Sequence, residues 1–333
     1  MKFQRFRVLS AATAVALTVG LVGCSSQTTA DNSADKASTS AATSEVKIQD
    51  KRGEVTVKTP VKSAVVTDNR AFETLSAWGV ELKAAPKPII PETVSYRTDD
   101  KVVDLGMHTE PNLEAVVAAN PDVVVNGQRF TKFYDEMKKL APNATVVDSD
   151  PKDNEPLDAY LKRFTTNLGL IFGKEKEAEQ LNGEFDQAIK EAKAAYKPGD
   201  KVLAVNVSGG KIGYIAPSKG RVLGPIYDML GLTPALEVKD ASDNHKGDEI
   251  SVEAIADSNP DWILVMDRDA GTSARTKPEF KPAETVIKES EALKNVKAVQ
   301  EGHVLYMPAD TYTNDGIQTY TEFLKELAQA FKK

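Results

Sequence analysis

Arg129 and Arg268 stand at matching places in a chain that repeats itself. The stretch EAVVAANPDVVVNGQR (114–129) returns as EAIADSNPDWILVMDR (253–268), and the offset is constant: 253 − 114 = 139, 260 − 121 = 139 and 268 − 129 = 139. In each copy the arginine follows an apolar run that reads as a strand. In open α/β sheets, ligands bind beyond the carboxyl ends of the strands. Arg221, in APSKGRVLG after the strand-like KIGYIA, is a third candidate. Guanidiniums give directional, charge-assisted bonds, so arginines gathered at strand ends suit a multiply anionic ligand. A surface arginine with a solvated head is the plain alternative for each. Glu114 and Glu253 open the two copies in the first turn of a helix, where the helix dipole already favours a carboxylate. Their functional reading is a pair of exposed docking charges, one per copy, for a two-fold symmetric partner.

Helices and strands must place these residues. In NLEAVVAANPDVVVNG, Asn112 reads as an N-cap, Leu113, Val116 and Val117 fall inward at helical spacing, and Pro121 stops the helix. DVVV then reads as a short strand buried on both faces, as in a parallel sheet. The second copy parallels it, with Ser251 as cap, Val252, Ile255 and Ala256 inward, Pro260 as stop and WILVM as strand. Further strand-like runs (SAVVT, KVVDLG, ATVVD, KVLAVNV, HVLYM) alternate with helical AFETLSAWG and PIYDMLG, the pattern of sheets layered by helices. Residues 153–198, rich in Ala, Glu, Lys and Leu, read as a helical zone that includes the inter-lobe helix. The fold expected is α/β: two Rossmann-like α/β lobes, 46–152 and 199–333, joined by a long backbone helix. The ligand cleft falls between the lobes, where small-ligand sites tend to lie.

The N-terminus reads as an address. Lys2, Arg5 and Arg7 precede an apolar stretch from Val8 to Gly20 that is short for a membrane span, so residues 1–23 are expected to be a signal peptide. Leu21-Val22-Gly23-Cys24 resembles a bacterial lipobox, with Cys24 as the lipidated residue; an ordinary cleaved signal with an incidental cysteine is the alternative. Cys24 is the only cysteine in the chain, which leaves no disulfide and no cysteine-based catalysis. Residues 24–45 hold no large apolar run and read as a flexible tether. The location implied is the extracytoplasmic face of the cell membrane, lipid-anchored. Beyond the tether 333 − 45 = 288 residues remain, enough for two lobes. With 49 acidic against 42 basic residues and no Lys/Arg block, nucleic acid is not an expected partner. No G-x-S-x-G, H-E-x-x-H, P-loop or post-strand G-x-G-x-x-G is present, so no enzyme is expected.

The lipobox, the paired NLEAVVAANPDVVV and SVEAIADSNPDWILV units and the helical zone resemble the substrate-binding lipoproteins of iron-siderophore ABC importers, the helical-backbone class of periplasmic binding proteins. VVVNGQRFTKFYDEM, KIGYIAPSKGRVLGPIYDMLG, ASDNH and ILVMDR resemble the branch that binds ferric catecholate siderophores, and the likeness runs over residues 50–333. It implies that Arg129, Arg221 and Arg268 surround the catecholates. It also implies that His245 and Tyr312 complete the iron shell when the siderophore supplies only four donors. Glu114 and Glu253 would meet arginines of an ABC permease dimer. The implied cargo is an Fe(III)-siderophore complex with no permanent cofactor, carried by a monomer held to the membrane through its lipid alone. KGDE after His245 and the short TNDG after Tyr312 depart from the family pattern. Phenolate and imidazole both suit ferric iron. They also ligate haem iron, so a haem-binding lipoprotein of the same fold is the alternative. His108, after a strand end, is a further cleft candidate or an exposed loop histidine, while His303 reads as structural and Tyr306 as core.

Overall fold

The computed structural model describes residues 43–333. The signal-peptide reading of 1–23, Cys24 and the tether up to residue 42 lie outside the described residues. Ser44 and Glu45, which composition assigns to the tether, already belong to a strand. β1 (Ser44–Asp50) pairs antiparallel with β2 (Gly53–Thr59). Their turn closes because Asp50 Oδ1 accepts from the backbone N–H groups of Arg52 (2.7 Å) and Gly53 (3.0 Å).

The N-terminal sheet contains β3 (Ala64–Val66), β4 (Ala84–Ala85), β5 (Val103–Asp104), β6 (Val123–Asn126) and β7 (Thr145–Asp148). All pair in parallel, in the order β5-β4-β3-β6-β7. Helices α1 (Phe72–Ala77), α2 (Glu114–Ala119) and α3 (Tyr134–Leu140) lie between strands in the chain. The helical zone is two helices, α4 (Leu157–Phe172) and α5 (Glu175–Ala195), turned at Gly173 in the left-handed region. They pack antiparallel: Lys162 Nζ meets Asp186 Oδ1 at 2.7 Å and Asn182 Nδ2 donates to Thr166 Oγ1 at 2.9 Å. Near the turn a Cβ on Gly169 would lie 2.7 Å from that of Ala178, so only glycine permits the approach. The long backbone helix is thus α5, preceded by a partner folded against it.

The C-terminal sheet contains β8 (Lys201–Ser208), β9 (Lys211–Ile215), β10 (Thr233–Pro234), β11 (Trp262–Asp267) and β12 (Val304–Tyr306). Its order is β10-β8-β11-β12, all parallel, with β9 turned back antiparallel along the end of β8. The accompanying helices are α6 (Gly224–Leu230), α7 (Val252–Ser258), α8 (Ala283–Glu289), α9 (Lys297–Gln300) and α10 (Ile317–Ala330), the last packed along α5.

Strand alternation divides the core as a two-faced sheet requires. Val123 and Val125 join an inner core with Val202, Ala204 and Leu264, while Val124 faces an outer N-lobe core and Leu203, Val205, Ile263 and Val265 an outer C-lobe core. The inner core runs without a break from one lobe through α4, α5 and α10 into the other.

The sequence repeat is also a structural one. Asn112 Oδ1 accepts from Ala115 N–H at 3.2 Å, and Ser251 Oγ from Ala254 N–H at 3.1 Å. Asn120 ends α2 at φ 40°, ψ 63°, and Asn259 ends α7 at φ 40°, ψ 64°. Asparagine tolerates this left-handed conformation, and the following proline bars any continuation. One expectation fails: Val117 is 47% exposed. The buried stripe of α2 runs through Ala115, Val116 and Ala119, a step around the helix from the face that Leu113, Val116 and Val117 predicted.

Candidate functional site

Beyond β6 the backbone turns sharply and presents Arg129. A Cβ on Gly127 would lie 2.1 Å from Ser149 Oγ and 2.4 Å from Asp68 Oδ2, so glycine is required there. Gln128 then takes φ 56°, a conformation that non-glycine residues hold only when their surroundings fix it. They do: its N–H donates to Asp150 Oδ1 (2.8 Å) and its Nε2 to Asp315 Oδ1 (3.0 Å). Behind this turn Arg70 is buried, with Nε and Nη2 donating to Asp68 Oδ1 (2.9 Å) and Oδ2 (2.8 Å) and Nη2 also to Asp150 Oδ1 (2.9 Å). Arg129 Nη1 donates to Asn69 Oδ1 at 3.0 Å, and Asn69 Nδ2 donates to the carbonyl of Thr313 at 3.0 Å.

Arg268 follows the end of β11, with its backbone N–H on the carbonyl of Val207 (3.0 Å) and its Nη1 on Asp269 Oδ1 (3.0 Å). Arg221 arrives by a different route from the one its sequence implied. The strand before it, β9, is antiparallel, so the carboxyl-end rule does not place it. The loop from Ala216 to Leu223 does, with Ser218 and Val222 in the left-handed region at φ 63° and 66°. A β-branched residue at such a φ is strained, and Val222 is held by burial (8% exposed) and by its carbonyl, which accepts from Tyr320 Oη at 3.0 Å.

The three guanidiniums converge on Tyr312, in the single 3₁₀ turn Thr311–Thr313 between β12 and α10. Their Cζ atoms lie 5.3 Å (Arg129), 5.8 Å (Arg221) and 4.8 Å (Arg268) from its ring centroid. Gly271 backs this turn, since a Cβ there would come within 3.0 Å of Tyr312 Cβ. Burial pushes the Tyr312 phenol up, but the charges of Arg129 and Arg268 outweigh it and hold its pKa below the ordinary value. Arg129 Nη2 and Arg268 Nε are buried without a hydrogen-bond partner among the described residues.

His245 sits exposed on the loop before α7, its carbonyl accepting from Asn206 Nδ2 at 3.1 Å. What burial it has, then the charges of Arg268, Arg221, Lys246 and Arg129, lower its pKa. Burial, then Arg129 and Lys132, likewise lower that of half-buried His108, on the N-lobe side. His303 stacks on Trp262 with ring centroids 4.0 Å apart and 11° between planes. Glu114 and Glu253 are exposed, each in the first turn of its helix. A cavity of about 850 Å³ on the C-lobe, lined among others by Gly210, Lys211, Ile250 and Val286, contains none of the predicted residues.

Sequence reasoning missed the residues that hold the arginines. Asn69 lies just past the end of β3 and was open to the same strand-end rule; Asp269 adjoins Arg268. The link from Gln128 to Asp315 joins positions 187 apart and carries no local signal.

Two parallel-sheet lobes joined by helices, with charged side chains from both meeting between them, define a two-lobed ligand-binding protein. The chain belongs to the periplasmic binding protein family, whose profile matches residues 65–311; its members are substrate-binding components of transport systems. It is 30% identical to the petrobactin-binding protein YclQ of Bacillus subtilis (strain 168), over 99% of this chain and 100% of that one. It is 25% identical to the ferric-anguibactin-binding protein FatB of Vibrio anguillarum (strain ATCC 68554 / 775), over 80% of each. The crystal structure of YclQ matches the fold with a TM-score of 0.73 at 26% identity, covering 87% of this chain and 99% of that chain.

Proposed function

We propose that the protein is an extracytoplasmic lipoprotein that captures a ferric catecholate-type siderophore between its lobes and delivers it to an ABC import permease. The observation that carries this reading is the meeting of Arg129, Arg221 and Arg268 around Tyr312. A ferric tris-catecholate is a trianion, and guanidiniums from both lobes offset its charge where water is partly excluded. Tyr312 and His245 add a phenolate and an imidazole for a siderophore that leaves iron positions open. Metal donors must be deprotonated, and both groups have pKa values shifted toward that form. The names of YclQ and FatB, which specify petrobactin and ferric anguibactin, support an iron-chelate cargo. Cys24 supplies the anchor, Glu114 and Glu253 the contacts to the permease, and the chain acts as a monomer.

Titrating the chain that follows the signal peptide with ferric bis-catecholate, ferric tris-catecholate and haemin, with visible spectra recorded, tests the proposal. Binding of a catecholate complex is expected. With the bis-catecholate a shift of its charge-transfer band is expected, which Tyr312→Phe abolishes. Binding without that shift removes Tyr312 from the iron shell and leaves the cargo in place. Binding of haemin alone, or of nothing, overturns the reading.

A further inference from the structure

The turn that carries Arg129 is spanned by one carboxylate. β6 and β7 are parallel neighbours with Asn126 opposite Asp148, so Gln128 and Asp150 stand at corresponding places two residues beyond that last pair. From there Asp150 Oδ1 accepts the backbone N–H of Gln128 at 2.8 Å, and Oδ2 accepts from Thr131 Oγ1. One bond falls before Arg129 in the chain and the other after it, while the Arg129 side chain bonds to Asn69. Asp150 is fixed in turn. Its Oδ1 also accepts from buried Arg70 Nη2 at 2.9 Å, and its carbonyl accepts from Arg163 Nη2 on α4 at 3.1 Å. Arg163 is itself held by Glu155, its Nε and Nη2 lying 2.7 and 2.8 Å from the two carboxylate oxygens.

As a charge, Asp150 works against an anionic ligand. Arg70 is shared between Asp68 and Asp150, so one cation faces two carboxylates beside the turn. What Asp150 supplies is geometry. Gln128 takes φ 56°, a backbone conformation that a non-glycine residue holds only when its surroundings fix it. A carboxylate accepting that residue's N–H makes a charge-assisted bond, the stronger kind, where the backbone is least favourable. The Asp150 side chain is 16% exposed and both its oxygens are engaged, which suits a support and not a ligand contact.

We propose, resting on the cargo reading above, that Asp150 is the positioning residue of Arg129: it bridges Gln128 to Thr131 and so fixes where the guanidinium between them stands. It acts on an anionic ligand only through Arg129. Arg268 belongs to the other lobe, has its own carboxylate partner in Asp269 (3.0 Å), and is independent of this bridge. Two consequences separate positioning from charge and from general stability. Removing the carboxylate without replacing its acceptor weakens anion binding, where charge alone would strengthen it. The loss vanishes once Arg129 is gone, because residues that act as a unit are not additive, and it persists once Arg268 is gone.

The test is titration of the chain that follows the signal peptide with ferric tris-catecholate, read by visible absorbance. Asp150→Ala is expected to weaken binding about tenfold, the share of one arginine. Asp150→Asn keeps an oxygen for Gln128 and turns an amide toward the Thr131 hydroxyl, so it is expected to stay within about threefold of the parent. In an Arg129→Gln background Asp150→Ala is expected to cost less than about twofold more, and in an Arg268→Gln background about tenfold again. Thr131→Val removes one bond of the bridge and no charge. It is expected to show the same pattern at about threefold, and it carries the test if Asp150→Ala does not fold. Tighter binding by Asp150→Ala, or equal losses in the two backgrounds from either substitution, overturns the positioning role and leaves the cargo in place. Failure of the unaltered chain to bind the complex overturns the cargo and this proposal together.

Discussion

Replacing Arg129 and Arg268 together by glutamine tests the electrostatic basis of the site. Their Cζ atoms stand 5.3 and 4.8 Å from the Tyr312 ring centre, and on the proposed function an anionic oxygen held against the same guanidiniums would lie at a similar separation. At about 5 Å and an effective dielectric constant of about 20, one pair of unit charges is worth about 3 kcal/mol. The Arg268 side chain is 22% exposed and already pairs with Asp269, so solvent and that carboxylate screen part of this. Halving the figure gives about 1.5 kcal/mol, or about tenfold in affinity, per arginine. The double variant is then expected to bind ferric tris-catecholate about 100-fold more weakly and a neutral ferric hydroxamate within about threefold of the parent. Glutamine retains an amide for Asn69, so the Arg129 turn keeps a hydrogen-bonding partner. The assay is titration by visible absorbance at low and at high salt, where the parent's preference for the anionic complex is expected to shrink. Equal losses for anionic and neutral complexes, or a salt-independent preference, would refute the reasoning.

Other consequences follow from the supports of the site. Gly271→Ala places a methyl 3.0 Å from Tyr312 Cβ and 3.3 Å from its backbone N, so the turn has to shift; a stability loss of about 1 kcal/mol by chemical denaturation, with weaker catecholate binding, is expected. Arg70→Met leaves the buried Asp68 carboxylate without its cation and Asp150 without one of its partners, and a loss of about 3–5 kcal/mol is expected in the same measurement. Tyr312 has a folded pKa below its unfolded value, so its contribution is absent at pH below the folded pKa, grows as pH rises through it, and is complete above the unfolded value near 10. Relative to Tyr312→Phe, the parent is expected to gain thermal stability as pH is raised toward 10; a constant difference between them would mean that the arginines do not favour the phenolate.

Much of the fold was legible because it was written twice. Asn112, Ser251 and the Asn-Pro pairs at 120–121 and 259–260 are local signals, and each acts within a few residues of where it stands. Val117 misled because a helix of six residues offers too few positions to fix its inward direction, and a step of one residue turns a side chain by about 100°. The β1–β2 hairpin was not anticipated: EVKIQD and GEVTVKT alternate apolar with polar residues, but they adjoin a Ser/Thr-rich segment whose composition speaks against structure. At the site, Arg129 and Arg268 follow from strand position alone. Arg221 reached the cleft for a reason no local rule supplies, a strained loop braced by Tyr320 from nearly a hundred positions away.

That difference bears on how the cleft is kept ready. Three like charges gathered on one point repel, and relaxation would spread them unless the fold holds them. Arg129 is tied through Asn69 to the carbonyl of Thr313, next to Tyr312 itself. Gln128, beside it, is tied to Asp315 in the same segment. Asn314 Nδ2 adds a bond to Glu73 Oε2 at 2.8 Å, and Thr74 Oγ1 one to Gln318 Oε1 at 2.7 Å. The loops after β3 and β6, together with the start of α1, are thus bonded to the segment from Tyr312 into α10, and the inner core continues through α5 and α10. The cost of gathering the arginines is met during folding rather than at binding. On the proposed function, an anionic ligand enters a cluster already assembled and gains the affinity that would otherwise be lost in ordering those side chains.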